Sequence, residues 1–266
     1  MFENKVRPWI KILVAITFLI MITANWLATS LPINGLTTAE VSSQFPNLFA
    51  PAGFTFAIWG LIYFALAGFT IYQFGFFQRP KTIRQIELLE KVGIYFSLSS
   101  LFNTAWIFAW HYLMIPLSMI LMIAILLCLI KINNLINKEN LSFSEKVFIR
   151  FPFSIYYGWI TVATLANLTT LWVSLGGDGL GKTGVIWAIT MIVIGTVIGL
   201  MTIVRNKNIA YGLVLIWAYV GILYKHKSAT GFNGEYPEII ITVIVSLILF
   251  VIAEAYILFF GKKNKW

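Results

Sequence analysis

Apolar residues run along this chain in long stretches separated by short polar ones. A helix needs about 20 apolar residues to cross a bilayer. Eight stretches meet or approach that length: Trp9–Thr29, Thr55–Phe77, Val92–Trp110, Leu113–Ile132, Phe148–Trp172, Gly184–Val204, Ile209–Tyr224 and Pro237–Phe260. The pattern predicts an all-α fold, a polytopic integral membrane helix bundle of about eight transmembrane helices. Ile209–Tyr224 has only 16 residues, but polar segments on both sides, Asn206–Asn208 and Lys225–Lys227, predict that it crosses. Trp26 stands where a leader peptide would carry small cleavage-site residues, so the first stretch reads as a membrane helix.

Charge placement tests the count. With eight spans, one side of the membrane carries Lys5, Arg7, Lys11, Arg79, Lys81, Arg84, Lys91, Lys131, Lys138, Lys146, Arg150, Arg205, Lys207, Lys262, Lys263 and Lys265, which is 16 of the 19 basic residues. The other side holds Lys182, Lys225 and Lys227. Removing one span would send every later loop to the opposite side and destroy this asymmetry. Because cytoplasmic loops are enriched in Lys and Arg, both termini are expected in the cytoplasm. The expected location is the inner (plasma) membrane of a bacterium. The chain reads as a single membrane domain, 1–266, and its longest connection, Ser30–Phe54, falls outside. That loop contains Pro32, Gly35, Pro46, Pro51 and Gly53 and no basic residue. It reads as a lid or binding loop, with a plain tether as the alternative.

Composition agrees with the pattern. Hydrophobic residues make up 59% and charged residues 11%, against roughly 45–50% and about 25% in soluble domains. The net charge of +9 sits in short clusters between spans, so it does not point to nucleic acid. The partners expected are the lipid bilayer and a small hydrophobic ligand, and a homodimer stays open as the assembly. The single cysteine, Cys128, lies in an apolar run, which leaves no disulfide framework or zinc site. His111 and His226 lie at or beyond the outer interface and offer no bis-histidine haem site. No P-loop, nucleophile elbow or catalytic carboxylate pair is present. The expectation is a protein that is not an enzyme, with no metal and no required cofactor.

Polar groups in hydrocarbon cost free energy unless paired, so they mark either helix–helix contacts or sites. Asn25, Asn103 and Asn167 fall in the outer halves of spans one, three and five. In span three, Phe96, Ser99, Asn103, Trp106 and Trp110 share a helix face, as do Pro152, Tyr156, Trp159, Ala163, Asn167 and Thr170 in span five. Phe56, Trp59 and Tyr63 share a face of span two. An interfacial aromatic belt accounts for Trp9, Trp26, Trp110, Trp172 and Trp187; Trp59, Trp106 and Trp159 lie deeper. These positions predict a cavity between spans one, two, three and five, capped by the Ser30–Phe54 loop and suited to a large, flat, mostly apolar ligand. The asparagines alternatively serve only as interhelical hydrogen bonds. Glu254 is the one acid well inside a span. It reads as a proton or cation site, or as a carboxylate that snorkels or pairs at the interface.

Three motifs resemble the TspO/MBR family, the tryptophan-rich sensory or translocator proteins. Pro51-Ala-Gly-Phe-Thr-Phe-Ala-Ile-Trp59-Gly-Leu-Ile-Tyr63 is similar to that family's entry into its second helix. Phe102-Asn103-Thr-Ala-Trp106 is similar to its third-helix Asn-x-x-Trp, and Tyr156-x-x-Trp159-x-x-x-Ala163-x-x-x-Asn167 to its fifth helix. The resemblance covers residues 9–175; the three helices of 184–260 are additional to it. Ala52 stands where the family has a second proline, and the loop reads Gln44-Phe45-Pro46-Asn47 where the family carries a Trp-Tyr pair and a Lys-Pro step. The resemblance implies a membrane-embedded binding or sensory protein for a tetrapyrrole or sterol-like molecule. It implies ligand contacts at Trp59, Tyr63, Asn103, Trp106, Tyr156, Trp159, Ala163 and Asn167. A permease for a small hydrophobic or amphipathic substrate is the alternative, with Glu254 as its functional group. An enzyme acting in the bilayer would have only oxidisable tryptophans to work with.

Overall fold

The computed structural model describes residues 6–31, 33–76 and 82–260. Pro32, the predicted end of span two at Phe77, and Lys5, Arg79, Lys81, Lys262, Lys263 and Lys265 lie outside them. Eight long helices appear: α1 Pro8–Ser30, α2 Ile58–Gln73, α3 Ile83–His111, α4 Ile115–Ile136, α5 Phe151–Ser174, α6 Lys182–Asn206, α7 Ile209–Lys227 and α8 Pro237–Phe260. A 3₁₀ turn, Gly53–Ala57, leads into α2. A π-helical turn, Lys146–Arg150, leads into α5.

Seven of these helices, with that turn counted into α2, are long and apolar enough to cross a membrane. The exception by apolarity is α5. Its 24 residues would reach about 36 Å at 1.5 Å per residue, which is long enough. It carries Ser154, Thr161, Thr164, Asn167, Thr169 and Thr170, all buried. Sixteen of its 24 residues are buried, so its polar side chains face protein and not lipid. The outward residues of other helices are apolar, for example Phe64, Ile120 and Phe259 at 79, 64 and 81% exposure, as a lipid-facing surface requires.

Local chemistry moved several boundaries. Span three begins at Ile83, well before the predicted Val92, because Thr82 and Gln85 form a reciprocal capping box. Ser142 and Glu145 form a second box ahead of the π-helical turn. The weakest predicted span is longer than expected: α7 continues through Lys225–Lys227 to 19 residues, close to a full crossing.

The chain divides into two compact units. The first comprises 1–38 and 59–157, and the second 39–58 and 158–266. In the first, α3 packs against both α1 and α4. Phe69, Phe96 and Phe153 form an edge-to-face cluster with centroids 4.8–5.6 Å apart, and Phe18 joins it. Gly93 allows a close approach, since a Cβ there would come within 3.1 Å of Ile10 and Val14. At the basic end, Arg7 and Glu90 form an ion pair with two guanidinium contacts of 2.6 and 3.0 Å.

In the second unit, α8 packs against α6 and α7. Small residues let these helices approach: a Cβ on Gly199 would meet Phe250 at 2.7 Å, and one on Gly158 would meet the Tyr211 carbonyl at 2.9 Å. The Tyr219 hydroxyl donates to the Ile192 carbonyl at 2.8 Å. Thr196 Oγ1 lies 2.8 Å from Ser246 Oγ.

Candidate functional site

Five of the expected site residues lie in the first unit: Trp59, Tyr63, Asn103, Trp106 and Tyr156. Trp59, Tyr63, Asn103 and Tyr156 form one connected group with Asn25. The Asn25 side-chain amide donates to Asn103 Oδ1 at 2.7 Å and to its own helix at the Met21 carbonyl. Asn103 Nδ2 donates in turn to the Tyr156 hydroxyl at 3.4 Å. A polar chain thus joins α1, α3 and α5, so Asn25 and Asn103 do bond between helices. Beside it, the Trp59 and Tyr63 rings stack at 5.2 Å and 21°, one helical turn apart on α2. Tyr156 meets Trp59 at 6.0 Å and 61°. Asn103 and Tyr156 are fully buried, whereas Trp59 and Tyr63 are half-buried and keep accessible ring surface. The Tyr63 hydroxyl is buried without a hydrogen-bond partner. Trp106 stacks on Trp110 at 5.8 Å.

The other three residues, Trp159, Ala163 and Asn167, belong to the second unit. Trp159 is buried and meets Phe56 edge-on at 5.6 Å. Asn167 is buried and Ala163 half-buried.

Trp9 and Trp26 are exposed, at 52 and 64%, as a belt position requires. Trp110 instead is buried and donates its indole N–H to the Thr38 carbonyl at 3.2 Å. Trp172 and Trp187 stack at 4.6 Å and 9°, and Trp187 donates to Thr169 Oγ1. An indole N–H near protein backbone or hydroxyls satisfies itself there, and the ring is drawn in with it.

Sequence reasoning missed how the loop between α1 and α2 is held. In the first unit its beginning is tied to the end of α3. The Asn34 amide donates to the His111 carbonyl, and the His111 ring nitrogens lie 3.2 Å from the Ile33 carbonyl and 3.0 Å from Thr38 Oγ1. In the second unit its later part is tied to α7. Ala52 N–H donates to the Gly221 carbonyl, and the Trp217 indole to the Thr55 carbonyl at 2.9 Å. His226 Nε2 lies 2.8 Å from the Leu48 carbonyl. Both histidines are therefore structural ties. Among the described residues no cluster of three or more His, Cys, Asp or Glu could hold a metal.

Glu254 is 6% exposed, and neither carboxyl oxygen has a hydrogen-bond partner. It packs against Gly212 of α7, where any Cβ would overlap the carboxyl group.

The helices and their apolar surfaces define a polytopic α-helical membrane protein with an aromatic–amide cluster among its first helices. The pattern of the TSPO-like protein family matches residues 11–256, and the chain belongs to that family. It is a membrane protein of TspO type. The match runs past the motif-bearing part and through α6, α7 and most of α8, so those three helices are part of what the family pattern describes. No curated protein and no solved structure matches the chain.

Proposed function

We propose that the protein is a membrane-embedded binding or sensory protein for a flat apolar ligand, a tetrapyrrole or sterol-like molecule, and that it catalyses no reaction of its own. The observation that carries this reading is the Trp59–Tyr63 stack beside the Asn25–Asn103–Tyr156 chain. Two half-buried rings supply stacking area. The buried Tyr63 hydroxyl is one polar group left to orient a ligand. An aromatic pair contributes about 0.5–1.5 kcal/mol beyond area burial, so removing one ring should weaken binding by roughly three- to tenfold. Titration of protoporphyrin against tryptophan fluorescence of the purified protein should show this loss for Trp59→Ala and Trp106→Ala. Trp159→Ala tests the second unit's contribution in the same assay. Unchanged affinity in all three folded variants would place the ligand elsewhere.

The orientation follows from charge. We place both termini in the cytoplasm and the α1–α2 loop outside, because the basic residues gather at the opposite ends of the helices. In a Cys128→Ala background, Ser42→Cys should react with an impermeant thiol reagent from outside and Thr82→Cys only from inside. Labelling of both from one side would break the eight-span topology.

A second reading is favoured by Glu254. A buried carboxyl without a partner suits a proton-linked permease. Ligand flux in proteoliposomes that disappears in Glu254→Gln would support transport, and binding without flux would support the first reading.

A further inference from the structure

In the second unit the later part of the loop, the end of α7 and the turn after it line a half-open cavity of about 580 Å³. This is within the usual range of roughly 300–1,000 Å³ for small-molecule sites. We propose that it is a binding site for a planar aromatic anion, an aromatic carboxylate being the simplest case. It lies within the second unit, whereas the Trp59 stack belongs to the first, and it does not rest on the function proposed above.

Three features carry the assignment. The first is a set of aromatic rings in a wall otherwise made of small and polar residues: Phe45, Phe54 and Phe56 come from the loop, Tyr224 from α7 and Phe232 from the turn. Phe54 is held edge-on between Tyr224 at 5.2 Å and Trp217 at 5.5 Å. These rings are fixed before any ligand arrives, which lowers the ordering cost of binding.

The second feature is charge. Lys225 is the one charged residue in the lining. Its ammonium lies 5.4 Å from the centre of the Phe232 ring, and among the described residues no carboxylate is in ion-pair reach of it. A half-buried cation beside ring faces, without its own anion, selects an acid attached to a flat apolar body.

The third feature is rigidity. The three backbone ties from Gly221, Trp217 and His226 fix the loop on α7, so the two sides of the cavity are held together whether or not it is filled.

The test uses the full-length protein in phosphatidylcholine nanodiscs. Binding of 1-pyrenecarboxylate and of the neutral 1-pyrenemethanol is measured by equilibrium dialysis, with empty nanodiscs subtracted. The readout is the ratio of the two affinities, which isolates the acid group from general apolar binding. The wild type should prefer the acid by about five- to tenfold, the range expected for one charge-assisted contact. Lys225→Met should bring the ratio to one while pyrenemethanol binding stays, and Lys225→Arg should keep the preference. Phe54→Ala should weaken both probes. Trp59→Ala, which tests the first unit's stack, should leave the ratio unchanged even where it lowers porphyrin affinity. A wild-type ratio near one, or a ratio that Lys225→Met leaves intact, would overturn the proposal. Loss of the preference in phosphatidylglycerol nanodiscs would give Lys225 to a lipid headgroup and would also overturn it.

Discussion

Gly221→Val is expected to lower the stability of the protein by about 3 kcal/mol, the upper part of the range for overpacking a close contact. Gly221 sits on α7 where the loop crosses it. A Cβ there would overlap the Thr55 side chain, and the Thr55 Cγ2 and Cβ atoms would also lie within 3.1 Å. The side chain cannot simply turn aside, because Thr55 is fully buried and its hydroxyl donates to the Ala52 carbonyl. The backbone must move instead. That movement breaks the Ala52–Gly221 hydrogen bond and strains the Trp217–Thr55 bond beside it. Each buried polar group left unpaired costs about 1–3 kcal/mol. Thermal unfolding in detergent should show the loss. Faster thiol labelling of Ser42→Cys in the same background should show that the loop is what came free. Unchanged melting and labelling would mean that the loop is not seated on α7 at this point.

Glu254→Met should have the opposite sign and raise stability by about 1–2 kcal/mol. Methionine keeps the length and flexibility of glutamate and removes two buried oxygens that no group satisfies. Replacing buried ionic groups by apolar ones of similar volume is often neutral or stabilising. The position against Gly212 leaves room for an unbranched side chain and none for an additional Cβ opposite it. The measurement is the unfolding temperature of the detergent-solubilised variant. A fall would mean that Glu254 is held by polar contacts in the folded protein. A rise in stability together with a loss of ligand flux would show that the carboxyl is retained for transport at a cost in stability.

The fold class was legible in the order of residues because the bilayer imposes a simple length rule. The last span, Pro237–Phe260, was predicted with the bounds it has, since its sequence is apolar almost throughout. α5 was predicted as a span from the apolar run Phe148–Trp172. Its composition falls short of the apolarity a crossing helix shows, and only its burial explains why Ser, Thr and Asn are tolerated there. The start of α3 at Ile83 and the turn ahead of α5 depended on capping boxes, which a hydropathy count does not see.

For the site, helical spacing placed Asn103 with Trp106 and Trp59 with Tyr63 on common faces, because residues three or four apart must share one. That Asn25 donates to Asn103, and Asn103 to Tyr156, needed the packing of separate helices. No periodicity within one segment carries that information. The roles of His111, His226 and Gly221 were likewise decided by tertiary structure alone. Each contacts a residue at least 70 positions away in the chain, and such contacts arise only once distant segments are packed together.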